Sequence, residues 1–263
     1  MTAFRLVRPT SRRTFAAGAT LSALALGRPP GRFPALGQTP EPLGELVIDL
    51  SGDPESIDPA LAYSPRDWSI VHAIYDALVG LDAEGVIRPL AAERFERLDD
   101  LTFEARLRRG MVFHDGSPVT AEAIVRGVEH IQRGDSKVID LFRPIVDVEV
   151  VDERTARIVC DAPTPWLPAQ LAVWHVLLPD GVTAASAATA PVGSGPYRLV
   201  AYEQGSQAVL ERHPGYLPTE VKGAPLAERV VFRFVPEAAT RVADLATGAT
   251  QIAVEIPQDQ ATA

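Results

Sequence analysis

Cys160 is the only cysteine in the chain. No intramolecular disulfide can therefore hold this fold. The residue closes the apolar run Ala156-Arg157-Ile158-Val159-Cys160, which reads as a small buried hydrophobe with an inert thiol. Aromatic residues make up only 6% of the chain, while its 23 prolines point to many stiff, irregular connections. No apolar run reaches the roughly 20 residues that a membrane-spanning helix needs. The five histidines (72, 114, 130, 175 and 213) lack metal-ligand spacing such as His-x-x-x-His. No Gly-x-Ser-x-Gly elbow is present, so a hydrolase of the α/β class would lack its usual nucleophile. Gly193-Ser194-Gly195 runs into Pro196 and misses the third glycine of a phosphate loop. It suits a close crossing of two backbone segments instead.

Acidic residues are missing from the first 37 positions, which hold Arg5, Arg8, Arg12, Arg13, Arg28 and Arg32. Ser11-Arg12-Arg13-Thr14-Phe15 reads as a twin-arginine export signal. The short apolar stretch Phe15 to Leu26 follows, then the small-residue site Ala35-Leu36-Gly37, with Ala23-Leu24-Ala25 as another choice for cleavage. Residues 1–37 are accordingly set aside as a signal peptide, and a periplasmic destination is expected. No cysteine stands near this segment to take a lipid, so a lipoprotein is not expected. Beyond residue 37 the chain holds 19 basic and 34 acidic residues, a net charge of −15. That sign argues against nucleic acid as a partner.

The rest of the chain alternates strand and helix signals. Glu45 to Leu50 reads as a strand, and Asp67 to Val79 as a helix with Ile70, Val71, Ile74 and Leu78 on one side, closed by Gly80. Arg94 to Leu98 and Thr102 to Leu107 alternate around an Asp99-Asp100 turn, with Phe103, Ala105 and Leu107 facing one way. The Asp115-Gly116 turn calls for glycine at positive φ, and His114 is expected to bond within the same turn. Thr120 is placed to cap the next helix, with Glu122 in its first turn and Ile124, Val128 and Ile131 on its inner side. Ile145 to Val151 and Thr155 to Cys160 form a hairpin. Residues 181–191 read as a linker. Tyr197 to Tyr202, Gln207 to Arg212, Arg229 to Val235 and Gln251 to Glu255 read as strands. Glu237 to Thr247 reads as a helix with Ala239, Val242, Ala243 and Ala246 inward.

Six short motifs occur in one order: Ser56-Ile57-Asp58-Pro59, Ile74 to Val79, Arg88 to Glu93, Phe113 to Gly116 with Thr120-Ala121-Glu122, Pro191 to Tyr197, and Ala239 to Gly248. Together they resemble the extracytoplasmic solute-binding proteins of family 5, which serve peptide, nickel and related ABC importers. The resemblance covers about Leu43 to Ala263. One departure is Ala123, where the family pattern carries an acid.

The resemblance implies an α/β fold: the first lobe of a class II periplasmic-binding-protein-like structure. That lobe would have a mixed β-sheet with flanking helices and a β-rich subdomain. Residues 38–60 and 190–263 would form its core, and 61–189 the inserted subdomain. The second lobe is expected to be absent. The implied role is non-enzymatic and needs no cofactor or metal: a monomer that captures a peptide or similar small solute and hands it to ABC permease subunits in the inner membrane. The cleft loop Tyr63-Ser64-Pro65-Arg66 and Tyr216 are the implied ligand-binding residues, with Arg66 suited to a carboxylate. The alternatives are an exported α/β hydrolase and a truncated remnant that binds nothing.

Overall fold

The computed structural model describes residues 43–258 and 260. The expected signal peptide, 1–37, lies outside these residues. The chain runs β1 (Leu43–Leu50), α1 (Pro65–Ile74), β2 (Val79–Leu81), β3 (Ile87–Pro89), β4 (Ala92–Arg97) and β5 (Thr102–Leu107). Next come α2 (Glu122–Ile131), α3 (Ile139–Phe142), β6 (Ile145–Asp152), β7 (Thr155–Cys160), α4 (Leu167–Trp174) and α5 (Ala184–Thr189). It closes with β8 (Tyr197–Glu203), β9 (Gln207–Arg212), β10 (Ala227–Phe234), α6 (Ala238–Thr247) and β11 (Ile252–Ala253).

Two principal sheets result. The first has the order β11-β1-β10-β9-β8, with β1 parallel to both β10 and β11 and the remaining pairs antiparallel. The second is the antiparallel sheet β4-β5-β7-β6. Apolar register explains the first: Ile48 lies opposite Phe232 and Leu50 opposite Phe234. Leu50, Phe232 and Phe234 join Leu210 and the inner side of α1 (Ile70, Val71 and Ile74) in one core. Alternation explains the second. Phe103, Ala105 and Leu107 of β5 and Ile158 of β7 point inward and meet Ile124, Val128 and Ile131 of α2 in a separate core. Cys160 is buried at the end of β7, where burial raises its thiol pKa.

Helix α1 is shorter than its apolar spacing predicts. It ends at Ile74, and Leu78 packs into the other core. Its last carbonyls are taken from outside the helix. Lys222 Nζ donates to the carbonyls of His72 and Tyr75 at 2.7 Å each, and the Gly195 amide donates to Ile74 at 2.9 Å. The Gly193-Ser194-Gly195 segment thus crosses the helix end closely. A Cβ on Gly193 would lie 2.1 Å from the Ile74 carbonyl oxygen, which no side chain could tolerate.

Other local expectations also change. The 181–191 stretch contains α5, capped by Thr183 and Ser186 in a reciprocal capping box. Thr120 does not cap α2. Ala121 takes the cap position in helical geometry, and the Thr120 hydroxyl donates to the Glu122 carboxylate at 2.7 Å. In α6 the buried residue is Arg241, while Ala239, Ala243 and Ala246 are exposed. Its guanidinium donates to the carbonyls of Val235, Pro236 and Glu255, which draws that side of the helix inward. Gly116 does adopt positive φ (85°). His114, however, reaches across to the crossing segment: its ring bonds the Gly195 carbonyl at 3.1 Å and accepts from the Gly193 amide at 3.3 Å.

Candidate functional site

The parallel strands β1, β10 and β11 end on the same side of their sheet, the position where open α/β sheets bind ligands. From the end of β1 the chain runs through residues 51–64 into α1. Most of this loop is fixed from within. Asp67, fully buried, accepts the amides of Glu55 at 2.8 Å, Tyr63 at 2.8 Å and Ser64 at 2.9 Å. Ser64 completes a capping box with Asp67, and Pro65 takes the first helical position. Ser64 and Pro65 therefore start the helix and aim the residues on either side of them.

A second anchor holds the earlier part of the loop. Asp58 is fully buried and accepts the Ala60 amide at 3.0 Å. It pairs with His130 Nε2 at 2.6 Å and Arg133 Nη1 at 3.0 Å, both from the α2 region. Burial pushes the Asp58 carboxyl upward. The His130 and Ala60 hydrogen bonds and the charges of His130 and Arg133 outweigh it and hold the group below the usual carboxylate range. Lys137 adds its backbone amide to the Ala60 carbonyl and its ammonium to Glu55 at 2.6 Å.

On this fixed base Tyr63 stands 60% exposed. Its ring stacks on Trp174 of α4, with centroids 5.6 Å apart and planes 13° from parallel. Trp174 meets Trp68 edge-on at 5.1 Å, and Trp68 is buried with its Nε1 donating to the Ala62 carbonyl. An aromatic platform is the result. Arg66 is half-buried and lies over Gly52, where a Cβ would come 2.8 Å from its Nη1.

The structure thus brings Tyr63, Ser64, Pro65 and Arg66 together. Tyr216 belongs to a different neighbourhood. It is 8% exposed, its amide donates to the His213 carbonyl, and burial raises its phenol pKa. A groove of about 760 Å³ lies elsewhere, along the edge strand β8, lined by His114, Ala190, Val192, Arg198, Val200 and Tyr202 among others. Sequence reasoning missed Trp174, Gly52 and Asp67. Only Asp67 left a signal, as the partner of Ser64 in a capping box. Among the described residues, no group of three His, Cys, Asp or Glu side chains is placed to hold a metal ion.

The mixed α/β architecture is that of periplasmic-binding-protein-like structures. The profile of the bacterial extracellular solute-binding proteins, family 5 (middle region), matches residues 86–263. The chain belongs to this family. It is 29% identical to the glutathione-binding protein GsiB of Salmonella choleraesuis, over 92% of this chain and 47% of that one. It is 27% identical to the probable D,D-dipeptide-binding periplasmic protein DdpA of Escherichia coli, over 93% of this chain and 49% of that one. Among solved structures, AgaA of A. tumefaciens R10 in complex with agropinic acid is 28% identical with a TM-score of 0.76, covering 83% of this chain and 45% of that one. The chain spans about half the length of the relatives it matches.

Proposed function

We propose that this chain acts as the substrate-binding component of an ABC importer, capturing a peptide or similar small solute in the periplasm and delivering it to the membrane permease. It acts by binding, as a monomer, without transforming its ligand. One observation carries the reading: the pinned loop with exposed Tyr63 and half-buried Arg66, at the strand ends of a family 5 fold. Its relatives, a glutathione-binding protein and a probable D,D-dipeptide-binding protein, support a small peptide-like ligand. Tyr63, Ser64, Pro65 and Arg66 form the ligand face. Tyr216 lies outside this face, buried beside His213.

The twin-arginine stretch Ser11 to Phe15 supports export through a signal peptide ending near Gly37, without lipidation. The two separate apolar cores support a division into a core of residues 38–60 and 190–263 and an insert of 61–189, with α1, Val176 and Leu178 packed on the core side.

Thermal melting of the chain against a panel of dipeptides, tripeptides and glutathione tests the role. A ligand at 100 times its Kd adds about 2.7 kcal/mol, or roughly 5–10 °C for a domain of this size. A Tyr63→Ala variant should lose the shift. A flat panel at millimolar solute would end the proposal.

A further inference from the structure

Arg66 differs from the other basic side chains of the described residues. Among the described residues only Arg66 and Arg109 have neither a carboxylate nor a carbonyl partner, and Arg109 is exposed whereas Arg66 is half-buried. The acids of the same loop are already engaged. Glu55 takes Lys137, Asp67 takes three backbone amides, and Asp53 accepts the Gly205 amide at 2.7 Å while its other oxygen is enclosed without a partner. Glu255, across the strand ends, accepts the Ser51 hydroxyl. None of them neutralises Arg66. Its position in the first turn of α1 is also unfavourable for a lone cation, because the helix dipole is positive there. The guanidinium occupies the space that a side chain at residue 52 would fill. A partly desolvated, unpaired cation set over bare backbone lacks one thing, an anion.

We propose that Arg66, seated over Gly52, forms an anion subsite that takes a carboxylate group of the bound solute, beside the Tyr63–Trp174 platform. The inference rests on the binding role proposed above and narrows its ligand class to carboxylate-bearing solutes. The planar guanidinium holds a carboxylate through two parallel N–H···O bonds, and that geometry rejects the neutral amide.

Trialanine and glutathione serve as acid probes of the full chain, and their carboxamide forms as neutral controls, in isothermal titrations. The acid forms should bind at least about tenfold tighter than the amides, as a charge-assisted hydrogen-bonded pair implies. Arg66→Gln should erase that preference, and Arg66→Lys should restore part of it. Arg66→Gln should melt close to the parent, because it breaks no hydrogen bond or ion pair among the described residues. Equal binding of acid and amide by the parent, or a preference that survives Arg66→Gln, overturns the subsite and leaves the binding role standing. If no probe binds the parent at all, role and subsite fall together.

Discussion

Replacing Asp67 should unlock the loop that carries the candidate ligand face. Its carboxylate is fully buried and accepts three backbone amides, from Glu55, Tyr63 and Ser64, at 2.8–2.9 Å. A hydrogen bond to a charged acceptor contributes about 1.5–3 kcal/mol, and a buried donor left without one costs about 1–3 kcal/mol. The three donors share one acceptor group, so their contributions do not add. Relaxation and water entry lower the sum further. Asp67→Ala should therefore cost about 3–5 kcal/mol. Asp67→Asn keeps one acceptor oxygen but turns an amide group toward N–H donors, and should cost about 2–3 kcal/mol. Urea unfolding followed by tryptophan fluorescence measures both, because Trp68 and Trp174 lie beside the loop. Hydrogen exchange at Tyr63 and Ser64 should accelerate before global unfolding. If both variants stay within about 0.5 kcal/mol of the parent, the carboxylate is not what fixes the loop.

Lys222→Met should cost about 3 kcal/mol, because Asp76, only 2% exposed, would lose the ammonium 2.7 Å away and the end of α1 would lose a cap; an unchanged melting temperature would refute this. Acid should weaken the fold before its carboxylates titrate. Burial depresses His72, His114 and His175 to about 4 each, with nearby positive charge adding at His72. Below about pH 6.5 the unfolded chain takes up protons that the folded chain refuses. Stability is then full above that value and falls as the pH drops toward 4. The urea midpoint should decline between pH 7 and 5, and a constant midpoint over that range would count against it.

The strands were legible because local rules decide them. β5 shows its buried set as Phe103, Ala105 and Leu107, spaced by two, and β7, β8, β9 and β10 also read as strands in the sequence. Helix α1 was legible at its start, where Asp67 opens the expected helix, but not at its end. The Ile70, Val71, Ile74, Leu78 spacing continues past Ile74, yet Lys222 and Gly195 take the terminal carbonyls. No local pattern announces a cap delivered from so far along the chain. Helix α6 failed for a related reason. Its Ala-rich stripe reads as an inner face, but a buried arginine with three carbonyl acceptors determines its orientation. At the candidate site, the loop itself was placed by the family resemblance, as the cleft loop before the first helix. Trp174 could not, because nothing near residue 174 says that its ring will stack on Tyr63.

The candidate loop separates the residues that hold it from the residues it presents. Its anchors come from three directions: Asp67 in α1, His130 and Arg133 from the α2 region, and the Gly205 amide near β9. Tyr63 and Arg66 belong to none of these anchors. Tyr63 contributes only its backbone amide to the network, and Arg66 contributes no hydrogen bond. Replacing either side chain should leave the loop conformation intact, so ligand preference can change here with little loss of stability. A surface fixed before ligand arrives also avoids the ordering entropy that a mobile loop would lose on binding. The same reasoning explains why buried acids rather than the exposed aromatic anchor the loop. An acid can accept several amides at once from within the protein, whereas the Tyr63 ring adds only its stacking on Trp174 and stays exposed to meet a solute.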